Sequence, residues 1–176
     1  MGLPFNPKVF QLGYVALAVS DLHRTRAHYT DTLGLVETDT DDASAAYLSL
    51  GCEHHNIVLR QADEKAFLHL GYQLSHGITV DDFADQVRAY GLPADIKSDS
   101  QPGIARLVEV TAPGGHIFQF YSHIDASSPG FARHGVAPLR LGHVAVFSPE
   151  AVKLRAFYEA FLGFHYTDDI GGTATS

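Results

Sequence analysis

Histidines dominate the side chains of this sequence that are able to do chemistry. His54 and His55 stand side by side in Gly51-Cys52-Glu53-His54-His55-Asn56, His69 lies in Phe67-Leu68-His69-Leu70-Gly71, His116 and His123 flank an apolar run, and His143 lies in Leu141-Gly142-His143-Val144-Ala145. Imidazoles held on rigid strands suit transition-metal binding or proton transfer. The other candidates are weaker. Cys52 has no basic neighbour except the histidines to activate it, which makes it a small turn residue rather than a nucleophile. Asp39-Thr40-Asp41-Asp42 lacks the spacing of a calcium loop and reads as a solvated turn. Gly13 and Gly34 lack the spacing of a dinucleotide fingerprint, and no phosphate loop or nucleophile elbow is present.

Elements that would position these residues follow from an internal repeat. Leu12-Gly13-Tyr14-Val15-Ala16 returns as Leu141-Gly142-His143-Val144-Ala145. The register holds through Tyr29 over Tyr158, Leu33-Gly34 over Leu162-Gly163 and Thr38 over Thr167, at an offset of 129 residues with eleven identities in twenty-eight positions. Each copy predicts a strand, a helix and a second strand. Asp21 caps the first helix and Gly34 stops it; Pro149 and Glu150 open the equivalent helix and Gly163 stops it. Between the copies, 45–50 and 55–60 predict a hairpin, 67–75 a strand and 81–89 a helix started by Asp81 or Asp82. Residues 104–110 and 116–121 predict two further strands around the turn Ala112-Pro113-Gly114-Gly115. A weaker match lays Tyr14 to Ser20 over His69 to Ser75, so the chain divides into modules at 10–63 and 64–123 and a third beginning near 139.

Composition bounds the rest. The chain has 176 residues, 45% hydrophobic, with a formal charge of −8, so it can build a core and has no basic surface for nucleic acid. One cysteine excludes an internal disulfide and fits a reducing, cytoplasmic setting. Its apolar runs are too short to span a membrane.

The module order, with Gly-(His/Tyr)-Val-Ala openings and Phe157-Tyr158-x-x-x-Leu162-Gly163-Phe164, resembles the vicinal oxygen chelate superfamily, which includes glyoxalases, bleomycin-resistance proteins and type I extradiol dioxygenases. Residues 47–59 are similar to the paired-histidine hairpin of the dioxygenases, and Ala112 to Tyr121 to their Asp-Pro-x-Gly-His-x-x-Glu end strand. The resemblance implies an α+β fold of paired βαβββ modules forming a cup-shaped mixed sheet with helices outside. It implies an amino-terminal domain at 1–125, a linker at 126–138 and the incomplete start of a catalytic-type domain at 139–176.

It also implies an extradiol dioxygenase fragment that opens catechol or dihydroxybiphenyl-type rings with Fe(II), or Mn(II), and O2. His143 takes the position of the first metal ligand, whereas the second histidine, the carboxylate and the acid–base histidine would follow beyond residue 176. No catalytic residue is therefore expected here, and no metal bound by this chain alone. In the first domain the corresponding positions are Tyr14, His69 and Gln119, too little charge for a cation. The partners implied are a small aromatic substrate and O2, with a homo-oligomer expected because Val144, Phe157, Phe161 and Phe164 need cover, from the first domain or from a second chain. The competing expectation is a metal-free aromatic or drug-binding module in the cup. Aromatic residues Phe10, Phe118, Phe120 and Tyr121 are expected in the core, and His54-His55 as a polar hairpin end.

Overall fold

The computed structural model describes residues 7–38, 42–132 and 134–168. Asp39, Thr40 and Asp41, singled out above, and residues 169–176 of the segment expected to start the catalytic-type domain lie outside the described residues.

The two predicted modules are present and joined edge to edge. Module one contributes β1 (Val9–Val19), a helix α1 (Leu22–Ala27) that widens into a π-type turn at His28–Thr32, β2 (Val36–Thr38), β3 (Ala45–Ser49) and β4 (Ile57–Gln61). Module two contributes β5 (Ala66–Leu74), α2 (Val80–Tyr90), β6 (Ala94–Gln101), β7 (Ile104–Thr111) and β8 (Ile117–Tyr121). One eight-stranded mixed sheet runs β2-β3-β4-β1-β5-β8-β7-β6. The opening strand of each module pairs parallel with its closing strand, β1 with β4 and β5 with β8, and the two opening strands pair antiparallel at the centre. The curled sheet thus has an inner face shared by both modules and an outer face carrying the helices.

Local sequence explains the helix ends. Asp21 accepts a hydrogen bond from the Arg24 amide at 2.9 Å, as predicted. For α2 the cap is Thr79, not Asp81 or Asp82: its hydroxyl accepts from the Asp82 amide at 3.1 Å while both aspartates occupy the first turn. An extended backbone before the first turn decides between them, and only Thr79 has it. Gly91 ends the helix in the left-handed region, at φ 96°.

The third copy is half reproduced. Its helix α3 (Ala151–Ala156) widens at Phe157–Phe161, and these bounds are those of α1 and its π-type turn displaced by 129 residues. The stopping glycines repeat as well, with Gly34 at φ 78° and Gly163 at φ 79°. The strand expected at the start of this copy, around His143, is absent. β1 is held by ladders on both sides, whereas the 141–147 segment forms a ladder with no strand among the described residues, and extended backbone without a ladder is not a strand. No second strand follows the helix through residue 168 either.

Two outer cores and one inner core result. Outside module one, Leu35, Leu48 and Leu59 pack with Leu22, Tyr29 and Leu33 of the first helix. Outside module two, Leu70, Tyr72, Phe118 and Phe120 pack with Phe83 and Val87 of α2 and with Leu154, Phe157 and Phe161 of the third copy. Phe118, Phe120 and Tyr121 are buried, as expected, but Phe10 is 69% exposed. It sits where a bulge in β1 shifts the register between Val9 and Gln11, which turns its side chain away from the core. No helix of the described residues is long and apolar enough to cross a membrane.

Candidate functional site

The inner face of the cup gathers polar side chains from both modules. Tyr14 comes from β1, His69 from β5 and Gln119 from β8; Gly71, paired with both Tyr14 and Gln119, leaves the space that the Tyr14 ring fills. A Cβ at Gly71 would stand 2.1 Å from that ring. The Tyr14 hydroxyl donates to Gln119 Oε1, and Gln101 Nε2 donates to the same oxygen at 3.2 Å. Gln119 Nε2 donates to Glu109 Oε2 at 2.9 Å, and Lys97 Nζ donates to Glu109 Oε1 at 2.6 Å. His69 Nε2 lies 3.3 Å from Gln101 Nε2.

Electrostatics keep this chain of bonds in one protonation state. Burial holds the Tyr14 phenol well above its ordinary value, so it stays a donor. Burial also lowers His69 to about 4, against a smaller opposing pull from Glu109, so the imidazole is neutral at pH 7. Burial raises Glu109, but the hydrogen bonds from Lys97 and Gln119 outweigh it and the carboxyl lies below its usual range. Tyr14, His69 and Gln119 therefore do not fit a divalent cation: they offer a protonated phenol, one imidazole and a neutral amide, and the phenol and amide already satisfy each other. Among the described residues no group of three or more His, Cys, Asp or Glu side chains stands where it could hold a metal ion.

His54 and His55 differ from the expected polar hairpin end. They lie in the connection before β4, with their Nδ1 atoms 3.1 Å apart, and His55 is fully buried with its ring 4.7 Å from that of Tyr14 and 5.1 Å from that of Tyr47. Burial, then the neighbouring His54 and His69, lowers His55 to about 3. Two aromatic neighbours make this spot apolar enough to draw the ring inward. His116 stacks against Phe118, and its Nε2 is buried without a partner among the described residues. Cys52 is exposed in the turn.

His143 lies on the opposite side of the sheet. Its side chain is exposed on the unladdered segment, beside a cavity of about 340 Å³ lined by Leu12, Tyr72, Val146, Tyr158 and Phe164. The structure does not bring it together with His69 or Gln119, which face the cup. Lys97 and Gln101 escaped the sequence reading because they lie on β6, whose Ala-Asp-Ile-Lys-Ser-Asp-Ser-Gln has no apolar alternation to mark a strand. Glu109 lies on the predicted strand at 104–110, where it and Arg106 are the charged residues in an otherwise apolar run.

Comparison with known proteins fits this arrangement of modules. The profile of the Glyoxalase/Bleomycin resistance protein/Dioxygenase superfamily matches residues 11–120. The chain belongs to that superfamily. Among superfamily relatives, a metapyrocatechase of Pseudomonas sp. strain CF600 is 27% identical over 176 residues, covering 92% of this chain and 57% of the relative. A manganese-dependent 2,3-dihydroxybiphenyl 1,2-dioxygenase of Geobacillus genomosp. 3 is 21% identical, covering 89% and 54%. Homoprotocatechuate 2,3-dioxygenase from Arthrobacter globiformis superposes with a TM-score of 0.77 at 26% identity, over 90% of this chain and 51% of that one. This member of the superfamily thus spans about half the length of the curated relatives it matches.

Proposed function

We propose that this chain is the amino-terminal half of an extradiol ring-cleavage dioxygenase acting on catechol or dihydroxybiphenyl-type diols, with a structural domain at 1–125, a linker at 126–138 and the start of the catalytic module at 139–176. One observation carries the reading: over the helix, the repeat of sequence at an offset of 129 is also a repeat of structure, down to the π-type turn and the glycine that follows it. In that frame His143 replaces the buried Tyr14, so an imidazole stands where the first domain has a phenol committed to Gln119.

His143 would be one ligand of Fe(II) or Mn(II), with the remaining ligands supplied by residues that repeat His69 and Gln119. When bound, the ion supplies a centre through which electrons of the diol reach dioxygen. Its exposed imidazole fits this role as a donor that the first domain leaves unengaged. The relatives' coverage and names support the same reading, and the chain alone is inactive because one imidazole cannot hold the ion. A soluble protein of the cytoplasm agrees with its cysteine content. The binding-module alternative needs room in the cup, and Tyr14, Tyr121 and Gln119 fill its floor.

The test has two parts. Purified chain supplied with ferrous or manganous salt is expected to leave catechol uncleaved; turnover would refute its inactivity. Reading the coding DNA past codon 176 is expected to reveal a histidine at the offset of 129 from His69 and a glutamate at that offset from Gln119. A stop without them would sink the dioxygenase reading.

A further inference from the structure

The third-copy helix differs from its duplicate in one systematic way. At the positions of the first helix equivalent to Leu154, Phe157, Tyr158, Phe161 and Leu162 stand Thr25, His28, Tyr29, Thr32 and Leu33, of which His28 and Thr32 are exposed. Tyrosine and leucine are kept, while Thr, His and Thr have become Leu, Phe and Phe. None of the first set is buried, but Leu154, Phe157, Phe161 and Leu162 all are.

What buries them is the first domain. Helix α2 packs mainly over β6 and β7 and reaches β8 through Phe83 on Phe120, which leaves the rest of the outer faces of β5 and β8 to be covered from elsewhere. Phe157 stacks on Phe118, Phe161 lies against Phe83 and Tyr90 at 5.7 and 4.8 Å between ring centres, and the Tyr158 and Tyr72 hydroxyls are 2.8 Å apart. Both helix ends are tied down as well. At the start Glu150 accepts from the Gly114 amide at 3.1 Å. At the end the backbone amide of Lys8 donates to Leu162 O at 2.9 Å and its ammonium to Phe161 O at 2.5 Å. A cation on the last carbonyls satisfies acceptors that a helix otherwise leaves to water.

We propose that the outer face of β5 and β8, with Lys8 and Gly114 at its two ends, is a socket dedicated to the helix at 151–161, and that the first domain acts through it as the scaffold that sets where the third module stands. The partner is this chain's own segment, so the expected cover of Phe157 and Phe161 is intramolecular. The inference deepens the reading of 139–176 as the start of a catalytic module, because it makes the first domain the holder of the segment that carries His143.

Hydrogen exchange on the intact 176-residue chain tests it. Amides of 154–162 are expected to exchange as slowly as those of α2, and Phe157→Asp to speed them more than tenfold while β1 and β5 stay protected. The control Val152→Asp, on a side chain 83% exposed, should change neither. Fast exchange of 154–162 in the unmodified chain, or no response to Phe157→Asp, would overturn the socket. If Phe157→Asp prevents folding, Tyr158→Phe decides: several-fold faster exchange of 154–162 with α2 unchanged upholds it, and an unchanged rate overturns it. This readout involves no metal or downstream sequence, so failure of the socket and failure of the dioxygenase reading are separate results.

Discussion

The Tyr14 hydroxyl donates to Gln119 Oε1 and joins the opening strand of module one to the closing strand of module two, 105 residues apart in sequence. The bond is buried and leads on through Glu109 to Lys97. Tyr14→Phe keeps the ring in place but leaves Gln119 Oε1 with only the Gln101 amide. Losing one buried hydrogen bond is expected to cost about 1–2 kcal/mol of stability. Urea unfolding checks it; an unchanged midpoint would mean that the β1–β5 ladder and apolar packing join the modules without help from this bond.

Gly71 is required by the same arrangement. Its missing side chain leaves room for the Tyr14 ring, whose nearest carbon would be 2.1 Å from a Cβ. Ring and strand are both fixed by their neighbours, so neither yields easily. Gly71→Ala is expected to destabilise by about 2–3 kcal/mol, the upper range for overpacking a core. Thermal unfolding measures it, with Gly77→Ala as a comparison for backbone strain, because Gly77 has nothing near its Cβ.

Acid should unfold the chain earlier than its carboxylates alone would. Burial lowers His69 to about 4 and His55 to about 3, both from 6.5. Below 6.5 the unfolded chain takes up protons that the folded chain refuses, so stability is complete above that pH and falls steadily toward pH 4. The loss is about 3 kcal/mol for His69 alone by pH 4. Denaturant midpoints at pH 7 and pH 5 should differ in that direction, and His69→Gln should shrink the difference.

The proposed ligand role of His143 is separable from the fold. Its exposed side chain lies on a segment without a ladder, so His143→Ala should change stability by less than about 0.5 kcal/mol. On the proposed dioxygenase reading, the same substitution in a longer protein that carries the remaining ligands should abolish iron binding. A loss of several kcal/mol in this chain would instead make the residue structural.

Much of the fold was legible from residues alone. The repeat at offset 129 identified the module, its helix with Asp21 as cap, and Gly34 and Gly163 as stops, because capping and left-handed turns are local chemistry. Strand β6 was hidden because its residues are polar, and the strand around His143 was expected from a sequence that does repeat β1. A strand, however, exists only through its neighbours.

What the sequence determined by itself was the modular family, the cap and stop of the first helix and the place of His143 in the repeat, all of which depend on side-chain type and spacing along the chain. Only the tertiary structure decided that Tyr14, Gln101, Glu109 and Gln119 are linked by hydrogen bonds, that His55 is drawn into the cup, and that Phe157 and Phe161 close onto the first domain. Those outcomes depend on which strands curl toward each other and which faces they leave bare, and no run of consecutive residues encodes that.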